Sequence, residues 1–575
     1  MLNYAKRAGF MLCALLLAAC AQSSTVSQED QVIVTGSRAQ DAASPVIAPP
    51  PAPPPPPMMA AEMGAMQRVA PYAQTAPQPM PGTVDTERYE DVEVNPIHVV
   101  AEDPVSTFSI DVDTASYSNV RRFLSEGRLP PRDAVRIEEL INYFRYEYPL
   151  PRDRAQPFST NVTVAPSPWA EGRQLVHIGL QGYNIVPRER PPLNLVLLLD
   201  VSGSMNAPNK LPLLQQSFRL LIDQLNARDR VAIVVYAGAA GTVLEPTPGN
   251  EHARILAALD SLRPGGSTAG AEGLRQAYAL AEQNFNRNAV NRVIIATDGD
   301  FNVGINDPQQ LQDFVSRKRE TGVYLSVFGF GGGNYNDALM QRLAQNGNGV
   351  AAYIDTLNEA RRVLRDEMAS NMFSIANDVK IQVEFNPARV AEYRLIGYET
   401  RMLRREDFNN DQVDAGEIGA GHAVTAIYEI VPVGAATFND PLRYQNAPAA
   451  GGTANEYAFL RIRYKLPGEE RSRLIERPIT SADYVADIDR APASTRWAAA
   501  VAGYGQLLRG DPYLSQGYGW SDVISLAQGA RGDDEFGWRA EFIQLARNAQ
   551  SAAALPALQT GAATPDPHPR PRPAR

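Results

Sequence analysis

The chain has 575 residues, of which 44% are hydrophobic and 21% charged, so it can bury more than one apolar core. It carries 64 acidic and 54 basic side chains, a formal net charge of −10, which disfavours nucleic acid as a partner. With two cysteines in the whole chain, a framework of several disulfides is excluded as the source of stability.

The N-terminal residues 1–19 have the pattern of a secretory signal peptide. Lys6 and Arg7 precede an apolar run that is too short to span a bilayer as a mature helix. The following "LAAC" resembles the bacterial lipobox, in which the cysteine, here Cys20, is lipidated and becomes the mature N-terminus. Ala21 in place of Asp resembles the sorting rule of outer-membrane lipoproteins. The resemblance implies a bacterial envelope protein anchored by lipid, whereas an ordinary signal peptide cleaved nearby would leave Cys20 as a free thiol.

Low-complexity segments lie at both ends of the expected mature chain. Residues 20–93 show little hydrophobic periodicity and contain the proline-rich stretch 44–59, so a disordered tether is expected. Within it, "DQVIVTGSR" (30–38) resembles a TonB box and could add a strand to the sheet edge of a partner. The simpler interpretation is that this segment is a short β-prone stretch within the disordered tether and has no specific partner. Residues 556–575 are predicted to form a solvated, disordered tail.

Three regions with periodic sequence lie between these ends. Residues 94–189 combine strand-like alternation with two amphipathic stretches, which predicts an α+β N-terminal domain. Residues 190–376 alternate continuous apolar strands with amphipathic helices, which predicts a Rossmann-like, doubly wound parallel sheet covered on both faces. Residues 377–555 contain alternating strands and then helical stretches, which predicts an antiparallel β unit with terminal helices. The expected fold class is therefore α/β with two flanking domains.

Oxygen-bearing side chains follow strands of the predicted parallel sheet. "NLVLLLDVSGSMN" places Asp200 at the end of an apolar run, where Ser202 and Ser204 alternate with small residues. "GGSTAG" places Thr268 just before a helix, and "ATDGD" places Asp298 at the end of another strand. Ligands of such sheets collect outside the carboxyl ends of the strands. Hard oxygen atoms that converge there suit a divalent cation.

The order D-x-S-x-S, then Thr, then T-D-G resembles the metal-ion-dependent adhesion site of the von Willebrand factor type A (VWA) domain. The resemblance implies Mg²⁺, or Mn²⁺, with Ser202, Ser204 and Thr268 as hydroxyl ligands. It implies that Asp200 and Asp298 hold the metal directly or through water, and that a carboxylate from a partner fills an open metal position. Taken singly, each motif also has a structural explanation, because Ser, Thr and Asp cap helices and T-D-G forms turns.

The flanking stretches resemble bacterial VWA lipoproteins that have a family-specific N-terminal segment and a C-terminal domain of unknown function. The matching stretches are "FSIDVDTASYSNVRRFL", "RIEELINYF" and "DFNNDQVDAGEIGAGHAVTAIYEI". Together they extend the resemblance over roughly 95–550. This resemblance indicates the architecture and leaves the ligand unidentified.

Three functions are compatible with these patterns. The favoured hypothesis is a metal-dependent protein-binding module or scaffold, not an enzyme, that captures an acidic side chain of an envelope or surface protein. A metal-dependent hydrolase is an alternative, but it needs a positioned nucleophile or base, and none of the five histidines lies in the metal motifs. In a third hypothesis the VWA domain is purely architectural, and the site only stabilises its loops.

Overall fold

The computed structural model describes residues 87–186, 188–266, 270–299, 308–332, 335–440, 442 and 455–555. The predicted signal peptide, Cys20, the 30–38 segment, Thr268 and the 556–575 tail lie outside these residues. Within the described ranges, none of the helices combines the length and the apolar character that a membrane crossing requires.

The described residues form strands and α-helices with the following bounds. The strands are β1 His98–Val99, β2 Val105–Ser109, β3 Phe158–Pro166, β4 Gln174–Gly182, β5 Leu193–Asp200, β6 Arg230–Ala237, β7 Ala239–Pro248, β8 Val290–Thr297, β9 Val323–Phe330, β10 Ala351–Ile354, β11 Ser374–Phe385, β12 Val390–Ile396, β13 Gly416–Gly419, β14 Ala423–Pro432, β15 Glu456–Lys465 and β16 Arg473–Thr480. The α-helices are α1 Ala115–Ser125, α2 Ile137–Asn142, α3 Leu211–Ile222, α4 His252–Ser261, α5 Gly270–Gln283, α6 Pro308–Glu320, α7 Asp337–Asn346, α8 Leu357–Arg361, α9 Met368–Met372, α10 Ala493–Arg509, α11 Trp520–Gly529 and α12 Trp538–Ala554.

The central sheet has the strand order β10-β9-β8-β5-β6-β7 and is parallel except at β7. Every residue of β5 is buried, as expected for a strand that is covered on both faces of its sheet. Residues of α3 and α4 pack on one face, and residues of α5, α6 and α7 pack on the other. The predicted doubly wound α/β fold is therefore confirmed.

The edge strand β7 is absent from the sequence-based prediction. Its sequence, AAGTVLEPTP, contains glycine and proline and lacks the continuous apolar run of the neighbouring strands. Gly238, with a φ of +65°, turns the chain from β6 directly into β7. Proline is tolerated in this strand because one side of an edge strand has no ladder partner.

The segments on either side of the parallel sheet share two antiparallel sheets. One sheet has the order β1-β12-β14-β4-β3, and the other joins β2 to β11 beside β13, β15 and β16. In the second sheet, Phe108 of β2 lies opposite Ile381 of β11. The prediction of two separate flanking domains, 94–189 and 377–555, is thereby corrected. Hydrophobic periodicity is a local signal, so it cannot reveal pairing between strands that are far apart in the chain.

The end of the predicted tether is also part of the folded body. The backbone N–H of Arg88 donates to the carbonyl of Tyr335 at 3.1 Å, and Glu87 pairs with Arg122 at 2.7 Å. The prediction of a disordered tether is therefore wrong for residues 87–93. These contacts are made to distant parts of the chain, and the segment has no apolar periodicity of its own that would indicate them.

Glu138 of α2 is buried among other carboxylates. Its side chain is 0% exposed, Oε2 accepts a hydrogen bond from the backbone N–H of Tyr398 at 2.9 Å, and Oε1 has no donor among the described residues. Burial, followed by the nearby charge of Glu399, raises the pKa of Glu138 to about 8. The folded protein therefore holds this proton more tightly than the unfolded chain does.

We expect Glu138→Gln to reduce the pH dependence of stability. Because the folded pKa lies above the unfolded one, the stabilisation is complete below the unfolded pKa and is lost as pH rises toward about 8. One such group changes the free energy of unfolding by at most about 1.4 kcal/mol per pH unit. Urea denaturation across this pH range should show a smaller slope and a higher stability at the alkaline end for the variant. An unchanged slope would contradict the assignment.

Candidate metal centre

The carboxyl edge of the parallel sheet brings together the two aspartates that the sequence predicts as metal ligands. Asp200 is the last residue of β5, and Asp298 follows the last residue of β8, the strand that pairs with β5. Both side chains are 0% exposed. Burial of two carboxylates at one edge is unfavourable unless cations or hydrogen-bond donors replace the lost hydration.

Three donors orient the Asp200 carboxylate. The backbone N–H of Ser202 donates to Oδ1 at 2.9 Å. The hydroxyls of Tyr236 and Thr297 donate to Oδ2 at 3.2 Å and 3.0 Å. Burial nevertheless raises the pKa of Asp200, and the hydrogen bonds from Ser202 counter part of this rise. The carboxylate is held in one orientation, and a nearby cation would stabilise its charged form.

The two predicted serine ligands form the turn that leaves β5. Ser202 precedes the 3₁₀ turn Gly203–Asn206, and its Oγ lies 3.0 Å from the Oγ of Ser204. Ser202 is 2% exposed, whereas Ser204 is exposed. The hydroxyl pair therefore starts beside the buried carboxylate and ends at the protein surface.

The loop before α5, which contains Gly265 and Gly266, forms hydrogen bonds with this turn. The N–H of Gly203 donates to the carbonyl of Gly266 at 3.1 Å, and the N–H of Gly265 donates to the carbonyl of Val201 at 2.8 Å. Gly266 has a φ of +83°, a conformation that suits glycine. Thr268 lies two residues further on and outside the described residues, so its role as a ligand stays a prediction.

Three further polar residues belong to the site, although the sequence analysis does not assign them a role. Nζ of Lys210 lies 2.7 Å from Oδ2 of Asp298, and these side chains are 11% and 0% exposed. Tyr236 and Thr297 hold Asp200, as described above. Thr297 lies inside the "ATDGD" motif and could have been found there. Lys210 and Tyr236 come from other elements, and no spacing in the sequence points to them.

The donor atoms at this edge fit a small divalent cation. Among the described residues, no group of three or more His, Cys, Asp or Glu side chains could hold a metal ion. A metal beside Asp200 would therefore also need hydroxyl oxygens, and the serine turn presents two of them. Carboxylate and hydroxyl oxygens are hard donors that suit Mg²⁺ or Mn²⁺. The Lys210 ammonium pairs with Asp298 and supplies one positive charge at this edge.

Family models match most of the described chain. The model of the von Willebrand factor type A domain matches residues 194–366, and one described as von Willebrand factor matches 83–177. A third model, for the C-terminal region of the uncharacterized protein YfbK, matches 370–552. The chain is thus a VWA-domain protein. Domains of this class often bind a divalent metal at a metal-ion-dependent adhesion site and mediate protein interactions.

The chain belongs to the YfbK family of bacterial proteins, which confirms the resemblance to bacterial VWA proteins. It is 46% identical to the uncharacterized protein YfbK of Escherichia coli (strain K12) over 473 residues, which is 81% of each chain. It is also 30% identical to the uncharacterized protein sll0103 of Synechocystis over 176 residues, which is 31% of this chain and 41% of that protein.

Solved structures of VWA proteins resemble the chain at low overall similarity. A von Willebrand factor type A protein from Catenulispora acidiphila is 16% identical, with coverage of 69% of this chain and 91% of that one and a TM-score of 0.39. Proximal thread matrix protein 1 from the mussel byssus, with a zinc-occupied adhesion motif, is 22% identical, with coverage of 31% and 45% and a TM-score of 0.26. Neither likeness identifies the metal or the partner of this chain.

Proposed function

We propose that this protein is a lipid-anchored protein of the bacterial envelope, at the outer membrane, whose VWA domain binds Mg²⁺, or Mn²⁺, and captures an acidic side chain of an envelope or surface protein. One observation carries the proposal. The buried and oriented Asp200 carboxylate adjoins the hydroxyl pair of Ser202 and Ser204, at the sheet edge where Asp298 follows the neighbouring strand.

The proposed ligands divide into neutral and charged groups. Ser202, Ser204 and Thr268 would supply neutral oxygens, and Asp200 and Asp298 would hold the metal directly or through water. A bound dication supplies a Lewis-acidic position that accepts a carboxylate oxygen. Because few ligands are charged, the bound cation would retain positive charge, which favours an anionic group from a partner.

Binding is favoured over hydrolysis because no described histidine lies in the metal loops. Of the four described histidines, three belong to β1, β4 and the turn before β14, which are parts of the flanking sheets. The fourth, His252, begins α4, and its Nε2 lies 3.1 Å from the carbonyl of Leu225. A hydrolase would need a positioned base or nucleophile in addition to the metal.

The double variant Ser202→Ala, Ser204→Ala tests the metal assignment. It removes two proposed ligands, so we expect Mg²⁺ binding to weaken at least about tenfold. The circular dichroism spectrum should stay unchanged, because each substitution removes one hydroxyl and no apolar core side chain. Isothermal titration calorimetry measures the affinity. Ser261→Ala is the control, because this exposed serine donates to the local carbonyl of Ala258 in α4. An unchanged affinity in the double variant would remove the basis of the assignment.

Cys20→Ser tests the proposed lipid anchor. Serine lacks the thiol that a lipobox cysteine contributes, so we expect the variant to leave the membrane fraction, whereas the wild type stays there. Cys13→Ser is the matched control, since Cys13 lies in the segment predicted to be removed, and it should stay membrane-bound. Fractionation after a carbonate wash gives the answer, and membrane retention of Cys20→Ser would show that the lipobox interpretation is wrong.

A further inference from the structure

Lys210 reaches the candidate metal site from outside the three sequence motifs that contain Asp200, Thr268 and Asp298. It immediately precedes α3, and its backbone N–H donates to the carbonyl of Ala207 at 3.0 Å. Its ammonium lies 2.7 Å from Oδ2 of Asp298. A buried ammonium loses hydration, and a paired carboxylate replaces part of it. The pair therefore belongs to the interior of the site and differs from the exposed ion pairs of the surface.

The chain at the end of β9 leaves room for this lysine. Gly331 has a φ of +74°, and a Cβ at this position would lie 2.5 Å from both Cγ and Cε of Lys210. Such a distance is far below a normal contact between carbon atoms. The carbonyl of Gly331 also accepts a hydrogen bond from the hydroxyl of Tyr353. Glycine thus leaves a slot in which the stem of Lys210 extends to Asp298.

Among the described residues, three charged side chains lie at this edge. Asp200 and Asp298 contribute two negative charges, and Lys210 contributes one positive charge beside Asp298. Together, these three side chains present a dication with one net negative charge instead of two. The dication would also experience the repulsion of a neighbouring ammonium in a buried site, where screening by water is weak.

We propose that Lys210 is a positioning residue that holds Asp298 and, through its charge, weakens metal binding while it leaves the bound cation more electrophilic toward an anionic partner. This inference rests on the proposed function, because it concerns the same metal site. It adds a specificity-determining residue that none of the metal motifs contains. Lys210 would therefore lower the affinity of the site for the cation and raise the affinity of the bound cation for a carboxylate.

The test compares Mg²⁺ binding by the full chain and by two Lys210 variants, measured by isothermal titration calorimetry. Lys210→Gln keeps a hydrogen-bond donor without the positive charge, and Lys210→Met keeps an apolar stem without a donor. We expect both to bind Mg²⁺ at least about fivefold more tightly than the wild type, because a repelling charge is removed. Lys318→Met is the control: Lys318 pairs with Glu282 at 2.8 Å near the far end of α5, and its loss should leave Mg²⁺ affinity unchanged.

The thermal midpoint gives a second measurement. Without metal, Lys210→Met should melt at a lower temperature than the wild type, because Asp298 stays buried without its ion pair. Addition of Mg²⁺ should then raise the melting temperature more in the variant than in the wild type, since tighter binding stabilises the folded state more.

The sign of the change in affinity separates the charge effect from a structural one. A disordered loop would bind Mg²⁺ more weakly, so weaker or unchanged binding by the folded Lys210 variants overturns the inference. Gly331→Ala keeps the lysine but fills the space that its stem occupies, so it should displace the ammonium and also tighten Mg²⁺ binding. If Gly331→Ala does not tighten Mg²⁺ binding, this result counts against the inference, even where a Lys210 variant does not fold. A wild-type chain that binds no Mg²⁺ would instead contradict the proposed function itself.

Discussion

Replacement of Arg121 by methionine is expected to lower the free energy of unfolding by about 3–5 kcal/mol. Nε of Arg121 donates to Oδ2 of Asp355 at 2.9 Å, and its other nitrogens donate to Glu359 at 2.9 Å and to Glu541 at 3.1 Å. The arginine side chain, 6% exposed, thereby joins α1 to the end of the parallel sheet and to α12. Methionine would leave buried carboxylates without this charge and without these donors, and urea denaturation would measure the loss.

Arg128→Met is the matched control for Arg121→Met. Arg128 follows the same helix and also pairs with a carboxylate, Glu126, but the two side chains are 49% and 46% exposed. Exposed ion pairs contribute little, so the free energy of unfolding should change by less than about 1 kcal/mol. Equal losses in the two variants would show that burial of the Arg121 cluster does not determine its contribution. The comparison also tests whether the VWA domain is held to its flanking segments by buried charges.

Buried ion pairs join the VWA domain to the N-terminal segment, so the metal-binding experiments require the full chain. Asp337, at the start of α7, pairs with Arg136 of the N-terminal segment at 2.7 Å, and both side chains are buried. Glu359 of α8 has Arg121 as one of its partners. An isolated VWA domain would lack these two arginines of the N-terminal segment, which pair with Asp337 and Glu359. Loss of metal binding by such a fragment could therefore result from misfolding instead of from a defect in the metal site.

The parallel sheet was predictable from sequence because burial on both faces leaves a continuous apolar run. β5 is buried at every position, and its sequence shows this directly. The pairing of the flanking strands was not predictable, because Ser109 of β2 lies opposite Lys380 of β11 and the whole VWA domain lies between them in the chain. Alternation predicts that a strand has one buried face, but it does not identify the strand that lies beside it.

The candidate site was predictable to the extent that it depends on local spacing. Asp200, Ser202 and Ser204 alternate after one strand, and strands that run in parallel place their carboxyl ends at the same edge. Lys210 was not predictable, because its approach to Asp298 depends on the path of the chain into α3 and on the slot at Gly331. The run of glycines after β9 was the available signal, since glycine at a strand end often marks close approach by another group.

Asp200→Asn is expected to abolish metal-dependent capture of a partner. Asparagine preserves the size of the side chain but removes the negative charge that faces the proposed metal. Its amide oxygen can accept from the N–H of Ser202, and its amide nitrogen can donate to the hydroxyl oxygens of Tyr236 and Thr297. We expect Mg²⁺ binding to weaken by about 100-fold while the protein stays folded. The measurement is a pull-down from envelope extract, compared with calorimetry of the same preparation. Asp260→Asn is the control, because Asp260 forms an exposed pair with Arg219.

Metal exchange distinguishes the three functions. Capture through the proposed site should be abolished by EDTA, restored by Mg²⁺ or Mn²⁺, and restored less well by Ca²⁺, because Ca²⁺ is larger and prefers more ligands. Thr268→Ala should also abolish it, since the resemblance assigns this residue to the metal from a different loop. Turnover of a generic ester or phosphodiester that disappears in Asp200→Asn would instead indicate a hydrolase. If a partner binds equally well in EDTA and to both variants, recognition runs through the flanking sheets, and the VWA site has only an architectural role.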